Sequence, residues 1–280
     1  MSTLPFTEID EKDFSRFQDY IYRAAGIRVG NHKRTLVSNR VRKRLRATGH
    51  SDFATYFRYL TSPKGVDEIP FFLDEITTNE TYFFRDVHQY EWFGSEYVRE
   101  LVNLARQGKR RRNLNVWSAA CSTGAEPYSI ALKIQEAIPA TDDWTIRILA
   151  TDLSGSVLEA AKEGVYDARS LQLVSPNQRR RFFRQRKGEE RWEIHEGAKK
   201  LVEFRRHNLL SPVAGGPFDC IFIKNVLIYF DDQSKTTVVK NLLSSLTPGG
   251  YLVVGPAEGI FRMLDPLERV NAWLYRKPAK

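Results

Sequence analysis

From residue 113 onwards, runs with strand chemistry alternate with runs of helical periodicity, and this alternation restricts the fold more than any other feature of the chain. LNVWSAA is followed by a helical pattern from about 126 to 138, then by TIRILATD and a helix over 154–163. FDCIFI, a helix over 232–246, the turn PGG and the run YLVVG repeat the theme. Short apolar runs rich in β-branched and aromatic residues suit strands buried on both faces, and helices between them call for a mostly parallel sheet with helices on either side. The predicted class is therefore α/β. Two-residue alternation in RWEIHEG and KKLVEFRRH predicts an antiparallel β-hairpin, about 188–206, inserted into that domain. RVNAWLYRK predicts a last strand, paired antiparallel as a closing edge.

The first 75 residues follow a different pattern. Phe14, Phe17, Ile21 and Ala24 recur at helical spacing, with Gly26 as a stop. Residues 33–46, KRTLVSNRVRKRLR, place Val37, Val41 and Leu45 on one face and surround them with seven Lys or Arg and no acid. Ser51 or Asp52 is placed to cap a third helix through Phe53, Tyr56, Phe57 and Leu60, which must stop before Pro63. A fourth helix is expected over 66–76. The organisation predicted is a small all-helical domain over 1–75, then a linker, a long helix over 88–107 and the α/β domain, together 76–280.

Composition narrows the function classes. Of 280 residues, 42% are hydrophobic, enough to bury a sizeable core. No apolar run approaches the roughly 20 residues that span a bilayer, and MSTLPFTEIDEKDF has neither the basic nor the apolar region of a signal peptide. Cys121 and Cys220 are too few for a disulfide framework or a sulfur-built metal site, and His32, His50, His88, His195 and His207 show no metal-ligand spacing. The expected compartment is the cytoplasm. A net charge of +9 favours polyanionic partners without choosing among nucleic acid, a membrane surface and an acidic protein.

In an open α/β sheet, ligands bind beyond the carboxyl ends of the strands. Here the first predicted strand runs into SAACSTGAEPYS, whose small residues admit a ligand to the backbone, with Gly124 at the turn and Glu126 opening the next helix. The second ends at Asp152, where an acid commonly grips a ribose diol. Asn208 lies at the mouth of a further strand, and Asn225 and Tyr229 follow FDCIFI. Neither GxGxxG nor GxxxxGK[ST] occurs, which disfavours dinucleotides and nucleoside triphosphates and leaves a nucleoside without phosphates, such as S-adenosylmethionine.

Four motifs in order, TTNETYFFRD (77–86), VWSAACSTGAEPYSIA (116–131), ATDLS (150–154) and FIKNVLIYF (222–230), resemble those of the chemotaxis-receptor glutamate O-methyltransferases, the CheR-type family. The resemblance runs over essentially the whole chain. It implies an N-terminal helical domain, a linker, and a Rossmann-like S-adenosylmethionine methyltransferase domain with an inserted antiparallel β-subdomain. It further implies that Asn79, Thr81 and Arg85 close over the sulfonium and methionyl end of S-adenosylmethionine. Glu126 would bind on the first-strand side, Asp152 would take the ribose hydroxyls, Asn208 and Leu209 would flank the adenine, and Asn225 and Val226 would complete the pocket. Arg85 and Tyr229 are the residues assigned to position the substrate carboxylate. The implied partner is the acidic coiled-coil methylation region of chemoreceptors, met by Arg40, Arg44 and Arg46 of the basic helix. In some family members the β-subdomain also binds a receptor C-terminal peptide. The chain departs from the family pattern at Ala125 (GAEP for GEEP), at Lys224 (KNV for RNV) and at Ala257–Ile260 (AEGI for SENF).

Each of these residues has a plainer reading. Asp152 suits a helix cap, Asn79 a turn, Arg85 a surface linker charge, Tyr229 a half-buried strand tyrosine, and the basic run a solvated helix face. The cluster RRRFFRQRK (179–187) either packs through Phe182 and Phe183 or helps to hold a partner. Three other functions compete: a nucleic-acid methyltransferase, which lacks its [DNS]-P-P-[YFW] signature here; a non-catalytic S-adenosylmethionine-sensing signalling adaptor; and a DNA-binding module built on the basic helix.

Overall fold

The computed structural model describes residues 8–138 and 141–279. The first half of the signal-peptide reading, residues 1–7, lies outside them.

The N-terminal domain holds four helices, each ended as its sequence requires. α1 (Glu11–Ala25) is capped by Asp10, whose side chain accepts from the Asp13 N–H, and stops at Gly26 in the left-handed region. α2 (Arg34–Thr48) stops at Gly49 in the same way. α3 (Phe53–Leu60) takes Asp52 as its cap. A 3-10 turn at Pro63–Glu68 leads into α4 (Ile69–Ile76), so the expected fourth helix is two pieces. Phe17, Val41, Tyr56 and Phe72 meet in the core of this domain, with stacked and edge-on aromatic contacts around Phe17. The predicted long helix is continuous over α5 (Val87–Trp92), a π turn (Phe93–Val98) and α6 (Arg99–Arg106).

The α/β domain then runs β1 (Asn113–Ala119), α7 (Ala125–Ala137), β2 (Thr145–Asp152), α8 (Gly155–Glu163), β3 (Val165–Asp167), α9 (Pro176–Phe182), β4 (Phe183–Gln185), β5 (Arg191–Ile194), α10 (Glu196–Lys199), β6 (Val202–Arg206), β7 (Phe218–Ile223), α11 (Asp232–Ser245), β8 (Leu246–Val254), β9 (Glu268–Arg269) and β10 (Leu274–Arg276). Seven strands form one sheet in the order β6-β2-β1-β7-β8-β10-β9. Pairing is parallel from β6 to β8 and antiparallel at β10 and β9, the closing edge expected of RVNAWLYRK. Strand order reverses between β1 and β7, which puts the crevice favoured for ligands above their carboxyl ends. The PGG segment does not stand apart as a turn; it is drawn into β8, with an irregularity in register against β7.

The hairpin expected over 188–206 is corrected. RWEI and VEFRR are both strands, but not partners. β5 pairs antiparallel with β3 and β4 in a separate three-stranded sheet, whereas β6 crosses to the main sheet and pairs parallel with β2. Alternation reports that a segment is extended and has two unlike faces; it carries no information about which neighbour supplies the hydrogen bonds. The cluster at 179–187 packs through Phe182 and Phe183, both buried in the main core.

The helical domain sits on the carboxyl rim of the sheet. Asp74 on α4 accepts from the first N–H groups of α8, Gly155 (2.9 Å) and Ser156 (3.0 Å). Arg28 N–H donates to the Tyr229 carbonyl (2.8 Å), Ile27 bridges to Phe230, and the Asn208 amide donates to the Ala24 carbonyl (2.9 Å).

Candidate active site

The cleft lies between this rim and the helical domain. Its lining includes Asn79, Thr81, Arg85, Glu126, Asp152, Asn208, Leu209, Asn225, Val226 and Tyr229, so every cofactor and substrate residue expected from the sequence faces one space. These come from five separate chain segments, and the reversal of strand order at β1 and β7 is what lets them converge.

The turn after β1 is unusually tight. Ala120, Ser122 and Gly124 all have positive φ (64°, 50° and 88°), a region costly for residues with a Cβ. At Gly124 a Cβ would lie 2.8 Å from that of Ala161, so glycine is required both for backbone angle and for space. The turn holds the Ser122 N–H against Asp152 Oδ2 (2.8 Å), while Ser154 N–H donates to Oδ1 (3.0 Å). Asp152 thus ties two loops together, and Ser154 rather than Asp152 caps α8. Each carboxylate oxygen accepts about two hydrogen bonds, so with backbone donors from Ser122, Ser154 and Leu153 the carboxylate keeps acceptor capacity for a ribose hydroxyl. Burial raises the Asp152 pKa, and the backbone donors oppose it. Glu126, buried at the start of α7, accepts from Ser118 Oγ (2.7 Å); burial raises its pKa, while Lys224 and the Ser118 hydroxyl pull it down.

Opposite, the linker places Asn79, whose carbonyl accepts from Ser122 Oγ (2.9 Å), and Arg85, whose guanidinium lies 5.8 Å from the Tyr82 ring centroid and donates to the Glu80 carbonyl (3.3 Å). Asn208 shares its side chain between the Ala24 carbonyl and the Leu210 N–H (3.1 Å), so it joins the two domains as well as lining the cleft. Tyr229 stands at the mouth with the Lys33 ammonium 5.4 Å from its ring centroid.

Two contributors carry no role in the sequence reading. Glu258 is fully buried and accepts from the N–H groups of Asn225, Val226 (3.3 Å) and Leu227 (2.7 Å), which fixes Asn225 at a φ of 58°. Lys224 is the other. Lys224 stands at a departure from the family pattern, whereas Glu258 keeps the glutamate of SENF within AEGI, and an acid in a loop of small residues was the available signal.

The basic helix does not present all three expected contacts. Arg44 forms a two-pronged ion pair with Glu68 (2.7 and 2.8 Å), their side chains 16% and 5% exposed, and Tyr56 donates to the same carboxylate. Arg40 turns inward to the Ile76 carbonyl and Thr78 Oγ1 and lines the cleft. Only Arg46 of the three is exposed. A helical wheel shows charge off the apolar stripe but not the Glu68 carboxylate brought in by another segment. Among the described residues no cluster of His, Cys, Asp or Glu is placed to hold a metal, and no helix is long and apolar enough to cross a membrane.

A doubly wound sheet with an acid closing its second strand and a small-residue turn after its first has the form of a nucleoside-binding α/β domain, the class to which S-adenosylmethionine-dependent methyltransferases belong. Comparison with known proteins specifies it. Residues 79–275 match the family model described as CheR methyltransferase, SAM binding domain, and residues 12–77 match CheR methyltransferase, all-alpha domain. Chemotaxis protein methyltransferase 1 of Pseudomonas aeruginosa is 37% identical over 265 residues, 92% of this chain and 94% of that protein. The chemotaxis protein methyltransferase of Escherichia coli is 35% identical over 260 residues, covering 89% and 85%. The chain belongs to the CheR chemotaxis methyltransferase family.

Proposed function

We propose that this enzyme transfers the methyl group of S-adenosylmethionine to glutamate side chains of chemoreceptors, forming methyl esters in chemotaxis adaptation, in the cytoplasm. The observation that carries the reading is the meeting of the linker residues Asn79, Thr81 and Arg85 with the acids Glu126 and Asp152 in one cleft. The donor set suits a nucleoside with a cationic tail: a buried carboxylate with acceptor positions to spare, a second buried carboxylate, and no phosphate cradle.

When bound, S-adenosylmethionine supplies an electrophilic methyl on a sulfonium. Asp152 holds the ribose hydroxyls, Asn208 and Leu209 flank the adenine, Asn225 and Val226 close the pocket floor, and Asn79, Thr81 and Glu126 hold the methionyl end. A glutamate carboxylate is already ionised near pH 7, so the site needs no general base. Its task is alignment at about 3–3.5 Å and exclusion of water from the nucleophile. Arg85 orients the incoming carboxylate by a charge-assisted contact and Tyr229 by its hydroxyl. The partner is the acidic coiled-coil methylation region, reached through Arg46 and the exposed face of α2, with the sheet β3-β5-β4 available to a receptor C-terminal peptide.

The test is calorimetric titration with S-adenosylhomocysteine of the wild type and Asp152→Ala, followed by methyl transfer to receptor fragments carrying Glu or Gln at the target positions. Binding by the wild type alone, with transfer only to Glu, supports the reading. Binding without transfer would favour a signalling adaptor, and no binding by the folded wild type would remove the methyltransferase reading.

A further inference from the structure

Lys224 directly follows β7 and precedes Asn225, and its side chain is 3% exposed. An ammonium so far from water must be surrounded by acceptors or it loses its charge, and its surroundings are specific. It donates to the Arg85 carbonyl (2.5 Å), lies 3.2 Å from Asp86 Oδ2 and 3.9 Å from Glu126 Oε2, and stands 4.8 Å from the centroid of the buried Tyr90 ring. These four groups belong to three segments: the linker, α5 and the start of α7.

The linker it grips is strained. Phe84 and Asp86, on either side of Arg85, have φ of 57° and 63° without being glycine, a conformation costing roughly 1–3 kcal/mol per residue unless its surroundings hold it. Phe84 is held by its buried ring and by a hydrogen bond from its N–H to Ser129 Oγ (2.9 Å). On the other side of Arg85 the Lys224 ammonium binds both the Arg85 carbonyl and the Asp86 carboxylate. The Arg85 backbone is thereby pinned between a sheet strand and α7, leaving its guanidinium to reach the cleft.

We propose that Lys224 is a positioning residue for methyl transfer: its buried ammonium locks the Phe84–Asp86 turn, and with it Arg85, against the strand end that carries Asn225 and the helix start that carries Glu126. The proposal rests on the function argued above for Arg85, but the lock itself is testable without it. Lys224 acts through Arg85 and Glu126 and touches no reacting atom.

The experiment compares Lys224→Met, which keeps length and removes charge, with Lys224→Arg, which restores a cation. Hydrogen exchange of peptides spanning residues 82–90 is measured in the full-length chain, with exchange in α11 as the internal control for global folding. The expected result is exchange at least ~10-fold faster in 82–90 for the Met variant, α11 unchanged, and protection recovered in the Arg variant. In transfer assays, kcat should fall by ~10- to 100-fold in the Met variant with a smaller change in KM, as expected of a misplaced orienting group. Wild-type exchange in the Met variant, or an Arg variant as unprotected as Met, overturns the proposal. A wild type that transfers nothing would overturn the function of the site, while the exchange result would still decide the lock.

Discussion

At the scale of single residues, the site depends on carboxylates kept charged in poor solvent. Glu126, Asp152 and Glu258 all have pKa values raised, with burial the leading cause in each. A carboxyl raised in the folded state favours folding when protonated, and that contribution is lost as pH rises through the folded value. At neutral pH these acids therefore work against the stability of the free protein and towards ligand binding. Two predictions follow from this opposition. Affinity for S-adenosylhomocysteine should weaken on acidification at a pH above the ordinary carboxylate range, because protonated Asp152 loses acceptor capacity for the ribose; calorimetry from pH 8 to 5 measures this, and a flat profile would contradict it. Asp152→Asn should cost about 1.5–3 kcal/mol of binding, the value of charge-assisted hydrogen bonds, and, because the amide nitrogen cannot accept from the Ser122 or Ser154 N–H, about 1–3 kcal/mol of folding stability in urea titration.

At the scale of elements, two connections determine where the chemistry lies. The turn from β1 into α7 works only with glycine at position 124, so Gly124→Ala should destabilise the fold by about 2–3 kcal/mol, summing left-handed strain and overpacking against Ala161. It should also displace the Ser122 N–H from Asp152 and weaken cofactor binding; a thermal melt with a binding isotherm checks both. On α2, removing Arg44 leaves the Glu68 carboxylate buried without its cation. Because the guanidinium is partly exposed, Arg44→Ala should cost about 2 kcal/mol, below the range for fully buried pairs. A residue serving only to dock a receptor would show no such loss in denaturant titration, whereas Arg46→Ala should leave stability within about 0.5 kcal/mol. Much of this scale was legible in the chain: Asp52 caps α3, Gly26 and Gly49 end their helices, and TIRILATD and FDCIFI are β2 and β7 residue for residue. Local rules suffice there because caps, glycine stops and buried strand runs are decided by neighbours within a few positions.

At the scale of the whole molecule, the helical domain forms one wall of the cleft. It reaches the sheet rim through Asp74 on α8, Arg28 on Tyr229 and Ala24 on Asn208, while Arg40 and Leu36 of α2 line the cleft. A ligand filling that space contacts both domains and the linker between them. Saturating S-adenosylhomocysteine should therefore slow proteolysis within residues 77–82 and raise the melting temperature. At a hundredfold excess over Kd the stabilisation amounts to about 2.7 kcal/mol. Cutting at 77–82 that is indifferent to the ligand would place binding elsewhere.

The sequence alone determined the α/β class, the helical domain, the rim residues and the family, because strand and helix periods, turn chemistry and motif spacing are all written locally. Tertiary structure alone decided which strand β6 joins, that Arg44 pairs with Glu68, and that Lys224 and Glu258 hold the rim from within. Each of these depends on a partner distant in the chain: Arg44 and Glu68 are 24 residues apart, Lys224 and Arg85 are 139. A lysine or glutamate reads as solvated until the fold removes the water around it, and only then does its choice of neighbour become a matter of several kcal/mol.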